Sequence, residues 1–193
     1  MALSQQYVAT SYVYDRETDR FLFVLHKKLG KWLPPGGHLE DGEEPQQGAL
    51  RELLEETGLQ GRVVSLLETP DVHTATIPQL ATPFCVLAEP IPANAGSEAH
   101  LHIDFVYVVE IDTTQPLDLL AAEVSHARWI ATPEVATLET YENVKRVCRE
   151  ISVSSSKKRA ASTEGLAYTT PFHELALEPS PEIVVSPDVQ QIL

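Results

Sequence analysis

The amino-acid sequence predicts an α+β fold, in which a mixed β-sheet packs against helices on its faces. Segments rich in β-branched and aromatic residues, which suit strands, occur before and after one amphipathic helical segment. They do not alternate with helices in the regular order that builds a parallel sheet. With 193 residues, the chain is long enough for one domain with its own hydrophobic core.

The first elements form a predicted β-hairpin followed by a loop. Residues 7–14 and 21–26 are two strand-like runs, and the polar residues between them suit a turn. Two prolines and two glycines then occupy positions 34–37. Because this composition does not continue regular structure, residues 33–37 are predicted to form a tight loop.

An amphipathic helix is predicted over Pro45–Thr57. Leu50, Leu53 and Leu54 recur at helical spacing and form one apolar stripe, which we expect to face the core. Pro45 suits the first turn of the helix, and Gly58 stands where a helix typically ends.

The remaining elements are shorter or less regular. Strands are predicted over residues 62–67, 82–87, 102–111 and 127–130, with a loop over 89–99 that contains two prolines and a glycine. A helical stretch opens at Thr132 and runs with breaks to about Ile151.

The composition changes after Ile151. Residues 152–193 are rich in serine and proline, which predicts a flexible or loosely packed tail after a domain over residues 1–151. Residues 183–185 could add an edge strand. Removal of residues 152–193 is therefore expected to leave a folded, active core.

Charge and composition exclude several classes of protein. The formal net charge of −14 argues against general nucleic-acid binding, because an acidic chain repels a polyphosphate backbone. No apolar run approaches the ~20 residues that span a bilayer. Two cysteines, Cys85 and Cys148, form no metal or redox pair, and we expect a cytoplasmic protein with reduced thiols.

Three carboxylates share one face of the predicted helix. Glu52, Glu55 and Glu56 stand at positions i, i+3 and i+4, where like charges repel. A hard divalent cation such as Mg²⁺ or Mn²⁺ would remove that repulsion, since it prefers oxygen ligands. Arg51 can pair with Glu55 or reach back to Glu43. The alternative is a solvated glutamate-rich helix, which would not require the glycines at both ends.

The same segment resembles the Nudix box, whose pattern is G-x5-E-x7-R-E-U-x-E-E-x-G-U, where U is a bulky aliphatic residue. Every fixed position is matched, by Gly37, Glu43, Arg51, Glu52, Leu53, Glu55, Glu56, Gly58 and Leu59. The resemblance is to the Nudix (MutT-like) hydrolase family, with no subfamily assigned, and it extends to about residue 150.

This resemblance implies a fold, a cofactor and a set of roles. The Nudix fold is a mixed β-sheet sandwiched between helices, and the family hydrolyses nucleoside diphosphates linked to another moiety with Mg²⁺. By analogy Glu52, Glu55 and Glu56 bind metal, and the Gly37 carbonyl can add an oxygen ligand. Arg51 and Glu43 would hold loop and helix in register, and Glu52 is the candidate within the box for the base that activates water.

Several residues outside the box have more than one interpretation. Glu98, Asp104 and Glu110 are alternative candidates for the base. His100, His102 and Asp104 share one strand face, which could line the substrate cleft, face solvent or hold a second metal. His38 could contact phosphate or lie at the surface. The two tryptophans could stack on a base or pack in the core, and core packing is favoured for Trp129.

The leading functional hypothesis is a pyrophosphohydrolase of nucleoside triphosphates or modified nucleoside triphosphates, an enzyme that acts on acid anhydrides. Hydrolysis of nucleotide sugars or dinucleoside polyphosphates is the nearest alternative. A nucleotide-sensing protein without turnover and an interaction protein that works through its tail are the other classes. The expected partner is a small-molecule nucleotide, with no nucleic acid and no membrane, and the sequence does not fix the oligomeric state.

Overall fold

The structure is a computed structural model that describes residues 3–93, 96–119 and 124–164. Its strands are β1 (Ser4–Asp15), β2 (Arg20–His26), β3 (Lys31–Leu33), β4 (Gly36–His38), β5 (Gly61–Val64), β6 (Cys85–Ile91), β7 (His100–Ile111) and β8 (Val124–Ala131). Its helices are α1 (Pro45–Thr57), α2 (Thr132–Val135) and α3 (Glu142–Glu164).

The strands form one mixed sheet in which β1 is central. Strand β1 runs parallel to β7 along ten paired positions and antiparallel to β2 and β4. The strand order is β3-β2-β1-β7-β5, with β4 paired to β1, β6 to β7 and β8 to β2. A mixed sheet with helices is the predicted α+β arrangement.

Each face of the sheet carries its own hydrophobic core. On one face α1 contributes Ala49 and Leu53, which pack with apolar residues of β1, β2 and β7. On the other face α3 contributes Val144, Val147 and Ile151, which pack against the aromatic side chains of β1 and β2. The sheet is therefore enclosed between helices, and alternate residues of each strand face different cores.

The predicted hairpin and the predicted helix are both confirmed. Tyr14 pairs with Phe21 across the turn between β1 and β2. Helix α1 has the predicted bounds and ends at Gly58, which adopts a left-handed conformation with φ of 72°.

The apolar stripe of α1 differs from the prediction in one residue. Leu53 is fully buried, but Leu54 is 40% exposed, and the buried face is completed by Ala49 and Glu56. Helical geometry places positions 49, 53 and 56 on one side, so the stripe is rotated away from Leu54. A glutamate thus replaces a leucine at the border of the core.

Three predicted loop or strand boundaries are also wrong in detail. Gly36 and Gly37 lie in β4 because they pair with Thr10 and Ala9, where the sequence predicted only a loop. Strand β6 begins at Cys85 and continues to Ile91, inside the predicted loop. Strand β5 ends at Val64, earlier than predicted. Tertiary pairing with β1 and β7 decides these limits.

Helix α3 continues past Ile151 to Glu164. Ile151 and Ser155 are buried, and the Ser152 hydroxyl donates to Asp19 Oδ1 at 3.0 Å. The Lys158 ammonium donates to the main-chain carbonyl of Ser65 at 2.8 Å. The predicted start of the tail thus falls inside a helix, and the predicted edge strand at residues 183–185 lies outside the described residues.

Within the described ranges, no helix has both the length and the apolar character needed to cross a bilayer.

Two truncations test the position of the domain boundary. Removal of residues 152–193 should lower the melting temperature relative to removal of residues 165–193, because only the longer deletion removes the buried Ser155 and the bond from Ser152 to Asp19. Thermal unfolding of the two proteins, measured side by side, checks this. Equal melting temperatures would show that the folded domain ends at Ile151, as the sequence predicts.

Candidate active site

The site is built on α1, whose second half carries Arg51 and the three glutamates, and on the loop that precedes the helix. Pro45 opens the helix, where its missing N–H costs no hydrogen bond, and Gln47 Oε1 accepts from the main-chain N–H of Glu44 at 3.3 Å. The position of the helix is fixed by Leu53, which is buried against the sheet. The charged face of α1 is thereby directed toward β4.

All five N–H groups of the Arg51 guanidinium donate hydrogen bonds. Two go to the Glu43 carboxylate, at 2.8 and 3.0 Å, and one goes to the His38 carbonyl at 2.9 Å. The other two go to Glu52 Oε1 at 2.9 Å and Glu55 Oε2 at 3.0 Å. Because five is the full donor capacity of the side chain, one residue ties the loop, β4 and the helix together.

The charges in this network stabilise one another. The hydrogen bonds to Glu43 raise the pKa of Arg51 further above its ordinary value. The same bonds lower the pKa of the Glu43 carboxyl. The predicted pairing of Arg51 with both Glu43 and Glu55 therefore occurs in this structure, and it also includes Glu52.

The three glutamates differ in exposure around the helix. Glu56 is only 6% exposed, whereas the side chains of Glu52 and Glu55 are 18% and 55% exposed. Glu56 Oε2 accepts from the main-chain N–H of Gly36 at 3.3 Å. A Cβ atom on Gly37 would meet the end of the Glu52 side chain, so the glycine lets this carboxylate lie against the main chain.

The pairing of β4 decides which main-chain carbonyls face the carboxylates. Pro35 and Leu39 form main-chain hydrogen bonds with β1 on either side of Gly37. Because hydrogen-bonded positions alternate along an antiparallel ladder, Gly37 is the bonded residue between them and its carbonyl points to β1. The carbonyls of Gly36 and His38 point away from β1. This geometry moves the main-chain candidate for a metal ligand from Gly37 to Gly36.

The donor chemistry of the site fits a hard cation. Carboxylates and a main-chain carbonyl are the oxygen ligands that Mg²⁺ and Mn²⁺ prefer, and Gly37 leaves space beside the Glu52 carboxylate. The side chains of Glu52 and Glu55 are turned toward Arg51. Across residues 3–93, 96–119 and 124–164, no three carboxylate, imidazole or thiolate groups converge into a ready-made metal site.

The three polar side chains of the HxHxD run lie on the face of the sheet opposite α1. His100 and Asp104 are each 6% exposed, so the interpretation as a solvent-facing surface is wrong for these two. The Nε2 atoms of His100 and His102 are 3.1 Å apart, and Asp104 Oδ1 accepts from the Thr10 hydroxyl at 2.9 Å. The carboxyl of Asp104 thus turns to Thr10 rather than to the imidazoles.

Burial controls the titration of these groups. Desolvation raises the pKa of Asp104 to about 7, and the nearby Glu89 carboxylate adds to the shift. Desolvation also lowers the pKa of His102 to about 4, with further contributions from His38 and His100. The pKa of Glu89 is likewise raised by burial.

The three alternative candidates for the general base lie in different surroundings. Glu110 is held by two ion pairs, with Arg16 at 3.0 Å and Arg62 at 2.6 Å. Asp104 is buried on the sheet face opposite α1, and Glu98 is exposed before β7. Glu52 is the candidate that lies beside Gly37 on the carboxylate face of the helix.

The two tryptophans take different positions. Trp129 packs against the core under α1, as predicted, and Trp32 packs against the core on the α3 side. The Arg128 guanidinium lies 4.8 Å from the centre of the Trp32 ring. Both rings border an open pocket of about 770 Å³ that also includes Glu134 and Glu139.

The sequence did not single out Gly36, Gln6 or Glu89, which the structure places beside predicted site residues. Gln6 pairs with His102 in the parallel ladder, and Glu89 pairs with His102 from β6. Strand alternation could have placed Gln6 on the correct face. Glu89 lay in a predicted loop, so no pattern in the sequence indicated its neighbours.

Comparison with known proteins agrees with this geometry. The model of the NUDIX domain family matches residues 5–150 of the chain. The chain belongs to the Nudix family. The predicted family, the predicted Nudix fold and the prediction of a Nudix-type hydrolase are confirmed.

Relatives of this Nudix hydrolase match parts of it. An 8-oxo-dGTP diphosphatase from Proteus vulgaris is 36% identical over 77 residues, which covers 35% of this chain and 67% of that protein. An RNA pyrophosphohydrolase from Wolbachia pipientis wMel is 33% identical over 73 residues, covering 38% and 44%. The chain thus spans less than half of the second relative, and the predicted absence of nucleic-acid partners stays a prediction.

A solved structure supports the Nudix fold. A Nudix-family hydrolase from Clostridium perfringens superposes with a TM-score of 0.61 at 22% sequence identity, covering 81% of this chain and 99% of that chain.

Replacement of Arg51 tests the five-bond network. Arg51→Lys keeps the positive charge but has three donors and no planar fork, so the loop should separate from α1. We expect a lower melting temperature and a loss of turnover, since each charged hydrogen bond contributes roughly 1.5–3 kcal/mol. Arg149→Lys on the exposed side of α3 is the matched control. Equal stability of both variants would contradict the network.

Proposed function

We propose that this Nudix hydrolase is a Mg²⁺- or Mn²⁺-dependent pyrophosphohydrolase of nucleoside triphosphates or modified nucleoside triphosphates. The observation that carries the proposal is the packing of Glu52 and Glu56 against the two glycines of β4. A solvated glutamate helix would not require carboxylates to lie against main chain at a sheet edge.

Glu52, Glu55, Glu56 and the Gly36 carbonyl are the groups that would hold the metal. When bound, a divalent cation polarises phosphoryl oxygens and lowers the pKa of water. Glu52 and Glu56 lie at the sheet edge and are the less exposed two of the three glutamates. Glu55 is the most exposed of them. Release of Glu52 and Glu55 from Arg51 would direct their oxygens toward the cation.

The chain's other residues position the reactants. Arg51 stays bonded to Glu43 and to the His38 carbonyl, and so holds β4 against the helix. Glu52 is the candidate to accept a proton from the attacking water, a role typically worth about 10²–10⁴-fold in rate. Phosphoryl transfer mainly requires such positioning together with neutralisation of negative charge.

The proposed substrate is a small nucleotide rather than a nucleic acid. The net charge of −14 disfavours a long polyphosphate chain, while a bound cation can compensate a short one. Nucleotide sugars and dinucleoside polyphosphates share the same phosphoanhydride and are the competing substrates. A sensor without turnover is the second candidate function, but a protein that has lost its metal has no reason to retain three mutually repelling carboxylates on one helix face.

Neutralising Glu56 tests the assignment of the metal ligands. Glu56→Gln removes one charged oxygen ligand with almost no change of volume, so kcat should fall roughly a hundredfold or more. Glu150→Gln, an exposed position on α3, is the matched control and should keep the wild-type rate. Turnover is measured with Mg²⁺ and with Mn²⁺ on a nucleotide panel, and products are identified by mass. Wild-type turnover in the Glu56 variant would remove this residue from the metal site.

Metal should also stabilise the folded protein. The unfolded chain cannot hold three glutamates on one face, so the cation binds the native state preferentially. At a hundredfold excess over Kd the gain is about 2.7 kcal/mol. Melting curves in EDTA and in Mn²⁺, at matched ionic strength, should show this gain in wild type and in Glu150→Gln but not in Glu56→Gln. Equal gains in all three proteins would place the metal elsewhere.

A further inference from the structure

A second group of polar side chains lies on the sheet face that carries α3. We call Gln6, Glu89, His100, His102 and Asp104 the sheet-face cluster. Gln6, His102 and Glu89 occupy one row across β1, β7 and β6, and Asp104 lies in the next row on the same face. The proposed hydrolysis does not use any of these side chains.

Strand β4 separates this cluster from the carboxylates of α1. The His38 carbonyl accepts from Arg51 on one side, while the His38 ring lies on the other side, 5.0 Å from the His102 ring. His38 Nε2 is 2.8 Å from Gln6 Oε1. A substrate whose phosphates meet Glu52 and Glu56 at the edge of β4 can therefore extend its other end over the sheet-face cluster.

An open pocket leads to this position. It has a volume of about 430 Å³ and is lined by Gln6 and His38 together with the loop before α1. This volume falls within the range of roughly 300–1,000 Å³ that is typical of small-molecule sites. The pocket borders the loop of the Nudix box and reaches one member of the cluster, Gln6.

The bonding pattern fixes the hydrogen-bonding character of the two histidines. His100 Nδ1 lies 2.8 Å from the Glu98 carbonyl, which can only accept, so this nitrogen carries the proton. His100 Nε2 must then accept from His102 Nε2 at 3.1 Å. His102 consequently presents its Nδ1 lone pair as an acceptor, and the lowered pKa of His102 keeps the ring neutral.

The other members are mostly acceptors as well. Asp104 and Glu89 are carboxyl groups close enough to influence each other, with Asp104 bonded to Thr10 and Glu89 to Asn143. Gln6 uses its oxygen for His38, which leaves its amide nitrogen as a donor. The cluster thus offers acceptor atoms on His102, Glu89 and Asp104, and a donor on the Gln6 amide, which borders the pocket.

We propose that the sheet-face cluster binds the base of the substrate and selects a guanine-type base. This proposal rests on the proposed function, because the phosphates define where the base must lie. The N1–H and 2-amino groups of guanine supply donors for the acceptors of the cluster, and its O6 can accept from the Gln6 amide. Adenine offers one amino group next to a ring nitrogen that only accepts, so it satisfies fewer of these groups. A phosphate is disfavoured because the cluster contains no lysine or arginine that would neutralise its charge.

Two variants and a control test the proposal. Asp104→Asn keeps the acceptor for Thr10, and Glu89→Gln keeps the acceptor for Asn143, so both should fold. Asp112→Asn, an exposed aspartate just after β7, is the matched control. Calorimetry in EDTA measures the binding of GMP, IMP and AMP, and steady-state kinetics with Mg²⁺ measures KM and kcat for GTP, ITP and ATP.

Wild type and the control should bind GMP about tenfold or more tightly than AMP, with IMP between them because it lacks the 2-amino group. In both cluster variants this ratio should fall toward one through weaker GMP binding, and the change in kinetics should appear in KM for GTP. Equal binding of GMP and AMP by wild type, or an unchanged ratio in both variants, overturns the proposal. Preferential GMP binding by a protein that hydrolyses no nucleotide would support the base site and contradict the proposed hydrolysis.

Discussion

Five hydrogen bonds from one guanidinium hold the active-site region in place. Arg51 binds the loop through Glu43, strand β4 through the His38 carbonyl and the helix through Glu52 and Glu55. These segments are separate in the chain, and Leu39 of the loop also packs against the core under α1. Leu53 fixes α1 on the sheet, and Arg51 then ties the loop and β4 to the carboxylate face of the helix.

The two glycines of β4 make the second constraint. Gly36 lies so close to β1 that a Cβ atom would meet the main chain of Ala9 and Thr10, and Gly37 gives space to the Glu52 carboxylate. Strand β4 therefore separates the carboxylates of Glu52 and Glu56 from the imidazole rings of His38 and His102. Ion pairs are concentrated on the α1 side, where burial is partial, while burial on the α3 side raises the pKa values of Asp104 and Glu89 and lowers that of His102.

This division suits a molecule with one anionic and one uncharged end. The phosphates of a nucleotide need cations and main-chain groups, while a base needs matched donors and acceptors in a dry environment. Burial serves the second purpose, because desolvation lowers the pKa of His102 to about 4 and raises that of Asp104 to about 7. Each end of the substrate would thus meet the kind of group that its own chemistry requires.

The sequence by itself determined the family, the bounds of α1 and the positions of the glutamates, because these depend on local spacing along the Nudix box. It also determined the α+β fold, because strand-like segments lie on both sides of one amphipathic helix without regular alternation. The sequence could not predict which residues of α1 are buried. The burial of Glu56 and the exposure of Leu54 depend on the rotation of α1 about its axis where it packs on the sheet. Only the tertiary structure decided that β4 turns the Gly37 carbonyl toward β1, and that Glu89 lies beside His102. Register between strands distant in sequence sets both, and no local pattern encodes that register.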